Sequence, residues 1–176
     1  MESLPHLRLG IEPIPYGSRR ASLANLMPRA EWDKLRRSVY QRAGYRCQIC
    51  GRDSRMYCHE VWQYNEQTGY QWLMGFEALC KDCHDTKHLF FANSRYKRIR
   101  LFQHFLTVNR MSREQGLEYL RTVYRKQQRL SQRDWIVNYG DYNLRMPPTS
   151  SAEQRRKYAQ ANHPSYSPPD SSFNWD

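Results

Sequence analysis

At 176 residues the chain has room for one modest domain plus tails, and with 39% hydrophobic residues and a mean hydropathy of -0.95 its core is lean enough to benefit from a metal staple. Lys and Arg outnumber Asp and Glu by 28 to 17, a formal charge of +11, so the expected partner is a polyanion; 14% aromatic residues favour nucleic acid, where rings stack on bases. No stretch approaches the roughly 18 apolar residues of a membrane span, and the start of the chain lacks an apolar core of signal-peptide length, so a membrane partner is not expected and a cytoplasmic location is.

Residues 1–30, with Pro5, Pro13, Pro15 and Pro28 and no sustained period, read as an N-terminal arm. From Glu31, Trp32, Leu35, Val39 and Ala43 recur at helical spacing, and Gly44 stands where a helix stops. Residues 55–64 and 70–76 are rich in aromatic and β-branched side chains and read as two strands joined by a 65–69 hairpin loop. Residues 78–91 carry no Pro or Gly and read as a helix, so residues 31–92 form a strand, strand, helix domain.

Residues 93–142 read as a basic helical extension. Ile99, Phe102 and Leu106 mark one face of its first helix, and Leu117, Leu120, Tyr124 and Gln127 mark the second, opened by a Ser112 to Gln115 capping box. From Arg95 to Arg133 there are eleven Lys or Arg against two acids. Such charge serves either a solvated helix face or a phosphate backbone, and Arg95, Lys97, Arg98 and Arg100 are the candidates for the second role. Residues 134–139 fit a short strand, and the Pro/Ser-rich stretch 143–176 is expected to be disordered on its own. Protein partners are expected to dock through the two arms.

Chemistry concentrates in the cysteines and histidines. Cys47-x-x-Cys50 and Cys80-x-x-Cys83 are two knuckles separated by 29 residues. Each turn brings two thiolates to one side, and two turns complete the tetrahedral sulfur shell of a structural Zn2+, with no position left open for reaction. His84 and His88, four apart on the expected helix, can share a second metal, and His59 lies in the hairpin that the knuckles would clip against that helix.

The runs Gly44 to Gly51, Cys58-His59-Glu60 and Leu79 to His88 resemble HNH endonucleases that carry a four-cysteine zinc. Cys58-His-Glu-Val-Trp62 followed by Gly75-Phe-Glu-Ala-Leu-Cys80 is similar to a bacterial and phage subgroup, the likeness running from about Trp32 to Tyr142. The resemblance implies an α+β chain with a small ββα-metal domain, a helical C-terminal extension and flexible tails. It implies phosphodiester hydrolysis of nucleic acid, foremost DNA. His59 would be the general base, and His84 and His88 would hold a catalytic Mg2+, Mn2+ or Zn2+. Cys58 occupies a ligand position of the motif, where its soft sulfur would favour zinc; it reads equally as a buried strand thiol. Gly75 falls on the family's Asn position, so Glu60 and Glu77 are the candidates for orienting His59. Two other readings stay open: a zinc-stapled nucleic-acid-binding module that does not cut, and a structural or assembly protein.

Overall fold

The computed structural model describes residues 7–16, 18 and 22–140; the 143–176 stretch lies outside them. The architecture is mixed α+β, with five α-helices and a three-stranded sheet among the described residues. A one-turn helix α1 (Leu23–Leu26) precedes α2 (Arg29–Arg42), whose Val39 is buried at the position its spacing predicts. The chain leaves α2 through Gly44 and Tyr45, at φ +58° and +56°, and enters the first cysteine knuckle.

Strands β1 (Met56–Asn65) and β2 (Tyr70–Cys80) form a long antiparallel hairpin. Asn65 folds its turn, accepting from the Gln67 and Thr68 amides at 3.0 Å with its side chain. The register slips between Val61 and Trp62: Val61 faces Gly75, Trp62 faces Leu73, and Met74 is the extra residue of a bulge. Gly75 takes φ +149° there, a backbone that an L side chain rarely adopts, which gives this glycine a local reason of its own.

The expected 78–91 helix is shorter than the composition indicates. Ala78, Leu79 and Cys80 stay in β2, paired with Cys58, Tyr57 and Met56. The helix α3 runs only over Lys81–Lys87, capped by the Cys80 sulfur, which accepts from the Cys83 amide at 3.5 Å. His88 is therefore the residue that ends α3, and Leu89–Phe91 continue as a 3-10 turn. Ladder pairing decides these bounds, and composition does not see it.

Helices α4 (Arg95–Asn109) and α5 (Arg113–Leu130) start where Ser94 and Ser112 cap them, the latter with a complete capping box. The buried face of α4 is Leu101, Phe102 and Phe105, turned from the expected Ile99, Phe102, Leu106 face. On α5 the buried set is Gly116, Tyr119, Leu120, Val123, Gln127 and Leu130. Gly116 lets the two helices close up: a Cβ there would stand 2.3 Å from Leu106 Cδ2. Strand β3 (Ile136–Asn138) adds in parallel to the start of β2, giving the order β1-β2-β3.

The described part of the 1–30 segment is not peripheral. Leu9 and Ile11 are 0% and 2% exposed within the main core. Asn109 of α4 bonds Leu9 twice, accepting from its amide at 3.0 Å and donating to its carbonyl at 2.8 Å. The Tyr119 hydroxyl accepts from the Ile11 amide at 3.3 Å, and the buried Gln127 amide donates to the Ile14 carbonyl at 2.9 Å. Burying each of Leu9 and Ile11 contributes about 1.5–3 kcal/mol, enough to fix residues 7–16, which have no helix or strand of their own.

Candidate metal centres and cleft

The first knuckle is fastened to the hairpin by Gln48, whose amide donates to the Ala78 carbonyl at 3.0 Å and whose side chain accepts from the Ala78 amide at 2.7 Å. Gly51, at φ +75°, turns the chain after Cys50. These links carry Cys47 and Cys50 to the end of β2, where Cys80 and Cys83 wait. The four sulfurs lie within 4.8 Å of one another, and Cys50 Sγ is 3.6 Å from Cys80 Sγ. A tetrahedron with zinc–sulfur bonds of about 2.3 Å has edges of about 3.8 Å, so the donors fit that ion.

Electrostatics agrees with the geometry. The Cys47–Cys83 contact drives Cys47 down to about 4, while the same contact, burial and neighbouring sulfurs drive Cys83 up. Four sulfurs so close, three of them buried, could share one cation, which would let all four ionise together. His104 of α4 adds a supporting contact, its Nε2 3.2 Å from Cys83 Sγ and placed to donate to a thiolate. Asp82, between the second pair of cysteines, accepts from Arg52 at 2.9 Å and Arg100 at 2.5 Å, tying α3 to the first knuckle and to α4.

A second donor set lies on the other side of α3. Ring nitrogens of His59, His84 and His88 fall within 4.8 Å of one another. His59, on β1, is 2% exposed. Its ring centroid stands 5.6 Å from that of His84 and 5.0 Å from that of His88. Tyr57 stacks on His84 at 5.4 Å, and the Asp85 carboxylate lies 3.4 Å from His84 Nδ1. Burial first, then the His59 charge, holds His84 below its ordinary value and pushes His88 down to about 3. Neutral imidazoles keep the lone pairs a metal takes up. The set opens on a cavity of about 440 Å³, lined also by Trp32, Glu60, Trp62, Tyr64, Gln71 and Lys97.

Cys58 borders that cavity but is not part of the donor set. Neighbouring strand residues point to opposite faces, and the Cys58 thiol sits on the α2 side near Arg36 and Arg42; burial first, then Glu60, pushes it up to about 12. The half-buried Cys58 thiol thus stands apart from the three gathered imidazoles. Neither Glu60 nor Glu77 bonds the His59 ring. The Glu60 carboxylate accepts from the Ser22 hydroxyl, the Leu23 amide and the Trp62 indole, and Glu77 pairs with Lys87 at 3.1 Å.

The group that meets His59 is Glu12, from the N-terminal segment, with Oε1 2.7 Å from His59 Nε2. Lys87 lies 3.2 Å from the same oxygen. Burial raises the Glu12 pKa, but the His59 hydrogen bond and the charges of His59, Lys87 and His88 outweigh it and hold the carboxyl at about 2. Sequence reading missed this residue because a lone Glu between prolines carries no signature.

Of the candidate phosphate contacts, Lys97 reaches the cavity wall and pairs with Asp85 at 3.0 Å, and Arg100 is engaged with Asp82. Arg98 donates to the Ala92 carbonyl at 3.2 Å, whereas Arg95 is exposed at the start of α4. No helix among the described residues is long and apolar enough to cross a membrane. No family model matches the chain, and neither curated proteins nor solved structures give a significant match.

Proposed function

We propose that this protein is an HNH-type nuclease that hydrolyses phosphodiester bonds of nucleic acid, foremost DNA, with the help of a divalent metal. The reading rests above all on three imidazoles gathered from β1 and the end of α3 at the mouth of a cleft, beside a cysteine set that clips hairpin to helix. On this reading Cys47, Cys50, Cys80 and Cys83 hold the structural Zn2+, while the hairpin and α3 form the ββα-metal unit.

In the proposed reaction His59 takes the proton from the attacking water. His84 and His88 would hold the catalytic ion, which when bound polarises the phosphate and stabilises the departing oxygen. Asp85 steadies the His84 ring, and Lys97, at the cavity wall, supplies positive charge to the substrate backbone. The cleft's rings, Trp32, Trp62 and Tyr64, offer surfaces on which bases can stack. The test is incubation of purified protein with plasmid and Mg2+, Mn2+, Ni2+ or Zn2+. Cleavage that His59→Ala removes supports the reading; no cleavage with any of these ions refutes it.

One observation favours a second reading, a zinc-stapled module that grips nucleic acid without cutting. His59 lies within ligand distance of His84 and His88, so it can serve as a third metal ligand. In that case His59→Ala releases the second metal, and salt-sensitive binding to nucleic acid persists in the absence of any cleavage.

A further inference from the structure

His59 emerges from β1 with two ring nitrogens, and its Nε2 has a defined neighbour, Glu12 Oε1 at 2.7 Å. An ionised carboxylate only accepts, so at this distance the ring donates through Nε2. In the neutral ring the lone pair then belongs to Nδ1. The hairpin positions that the sequence offers for this task do not perform it. Gly75 has no side chain, Glu60 is occupied by Ser22, Leu23 and Trp62, and Glu77 by Lys87.

Glu12 is itself held from several sides. Its backbone amide donates to the Lys87 carbonyl at 2.9 Å, so the residue is stitched to the end of α3 that also carries His88. Lys87 reaches it at 3.2 Å through the side chain as well. On one flank Leu9 and Ile11 are sunk in the core, and on the other the Ile14 carbonyl accepts from Gln127. A side chain 21% exposed and tied at both backbone and carboxylate offers a fixed acceptor.

We infer that Glu12 is the positioning residue of the histidine centre: it fixes the orientation of His59 and its Nε2–H tautomer from outside the hairpin and helix. The consequence for rate rests on the proposed role of His59; the tautomer does not.

The experiment uses the full chain loaded with zinc, as wild type, Glu12→Ala and Glu12→Asp. Long-range proton–nitrogen correlation spectra at mildly alkaline pH read the His59 tautomer directly, and plasmid cleavage gives kcat and KM. Wild type shows one Nε2–H tautomer. Glu12→Ala gives a tautomer mixture and lowers kcat about 10–100-fold with KM nearly unchanged, as expected when a residue behind a working imidazole is removed. Glu12→Asp keeps a carboxylate, retains Nε2–H as the main form and recovers part of kcat. A wild-type Nδ1–H tautomer, or a pure Nε2–H tautomer surviving in Glu12→Ala, overturns the inference. Failure of the wild type to cut any nucleic acid refutes the nuclease reading alone, and the tautomer spectra still decide the place of Glu12.

Discussion

The cysteine and histidine clusters flank the same short helix and differ in almost every physical respect. The sulfurs come from two knuckles, three of the four are buried, and they close on one another at the spacing of a complete tetrahedral shell. The imidazoles come from a strand and from the end of α3 and open onto a cavity of about 440 Å³. Around the sulfurs the neighbours are backbone amides and His104; around the imidazoles they are Glu12, Asp85 and Lys87. A saturated shell holds elements together, whereas an open set with charged neighbours can exchange ligands and protons. On the proposed reading the sulfurs serve folding and the imidazoles chemistry.

The strongest way to break that assignment is Cys83→Ser. Structural zinc in small domains carries an apparent binding energy of about 10–16 kcal/mol, so the variant is expected to lose both the metal and its cooperative unfolding transition, read by metal analysis and circular dichroism. A stable, metal-loaded variant would contradict the staple role. His59→Ala is next: a drop in cleavage of about 100- to 10,000-fold with a stability loss limited to about 1–3 kcal/mol, the cost of Glu12's lost partner, measured by plasmid nicking and calorimetry. A large fall in midpoint would move His59 to the structural side.

Smaller effects sharpen the boundary between the clusters. Gly116→Ala lies far from both and should destabilise by about 1–3 kcal/mol, because the new methyl overlaps Leu106 and Phe102. Denaturant melts should show this with metal content intact. Cys58→Ala, on the α2 side of β1, should cost only about 1 kcal/mol and leave the metal stoichiometry and cleavage rate at wild-type levels. Loss of the second metal in that variant would restore Cys58 to the ligand set.

What could be read in advance follows the range of the interactions. The paired C-x-x-C knuckles, the Ser112 capping box and the hairpin are local patterns, and their geometry appears as the spacing predicts. The start of α3 was misplaced because ladder bonds from Met56, Tyr57 and Cys58 hold Ala78 to Cys80 in the sheet, a partner choice no window of composition contains. The buried face of α4 was turned because it is set by the close approach at Gly116 and by the N-terminal segment packed over it. Glu12 was out of reach for the same reason: its partner His59 is 47 positions away, and the segment around it has no period to read.

The Asn109 clasp on Leu9 joins residues 100 positions apart. During synthesis the four cysteines and both long strands are present once α3 has left the ribosome. The segment carrying Glu12 must wait for α4 and α5 before it can be clamped. High contact order is thus concentrated in one strap, and the helices that clamp it beside His59 are made after the hairpin. In a nascent chain the four cysteines can gather before the strap that carries Glu12 has anything to hold it.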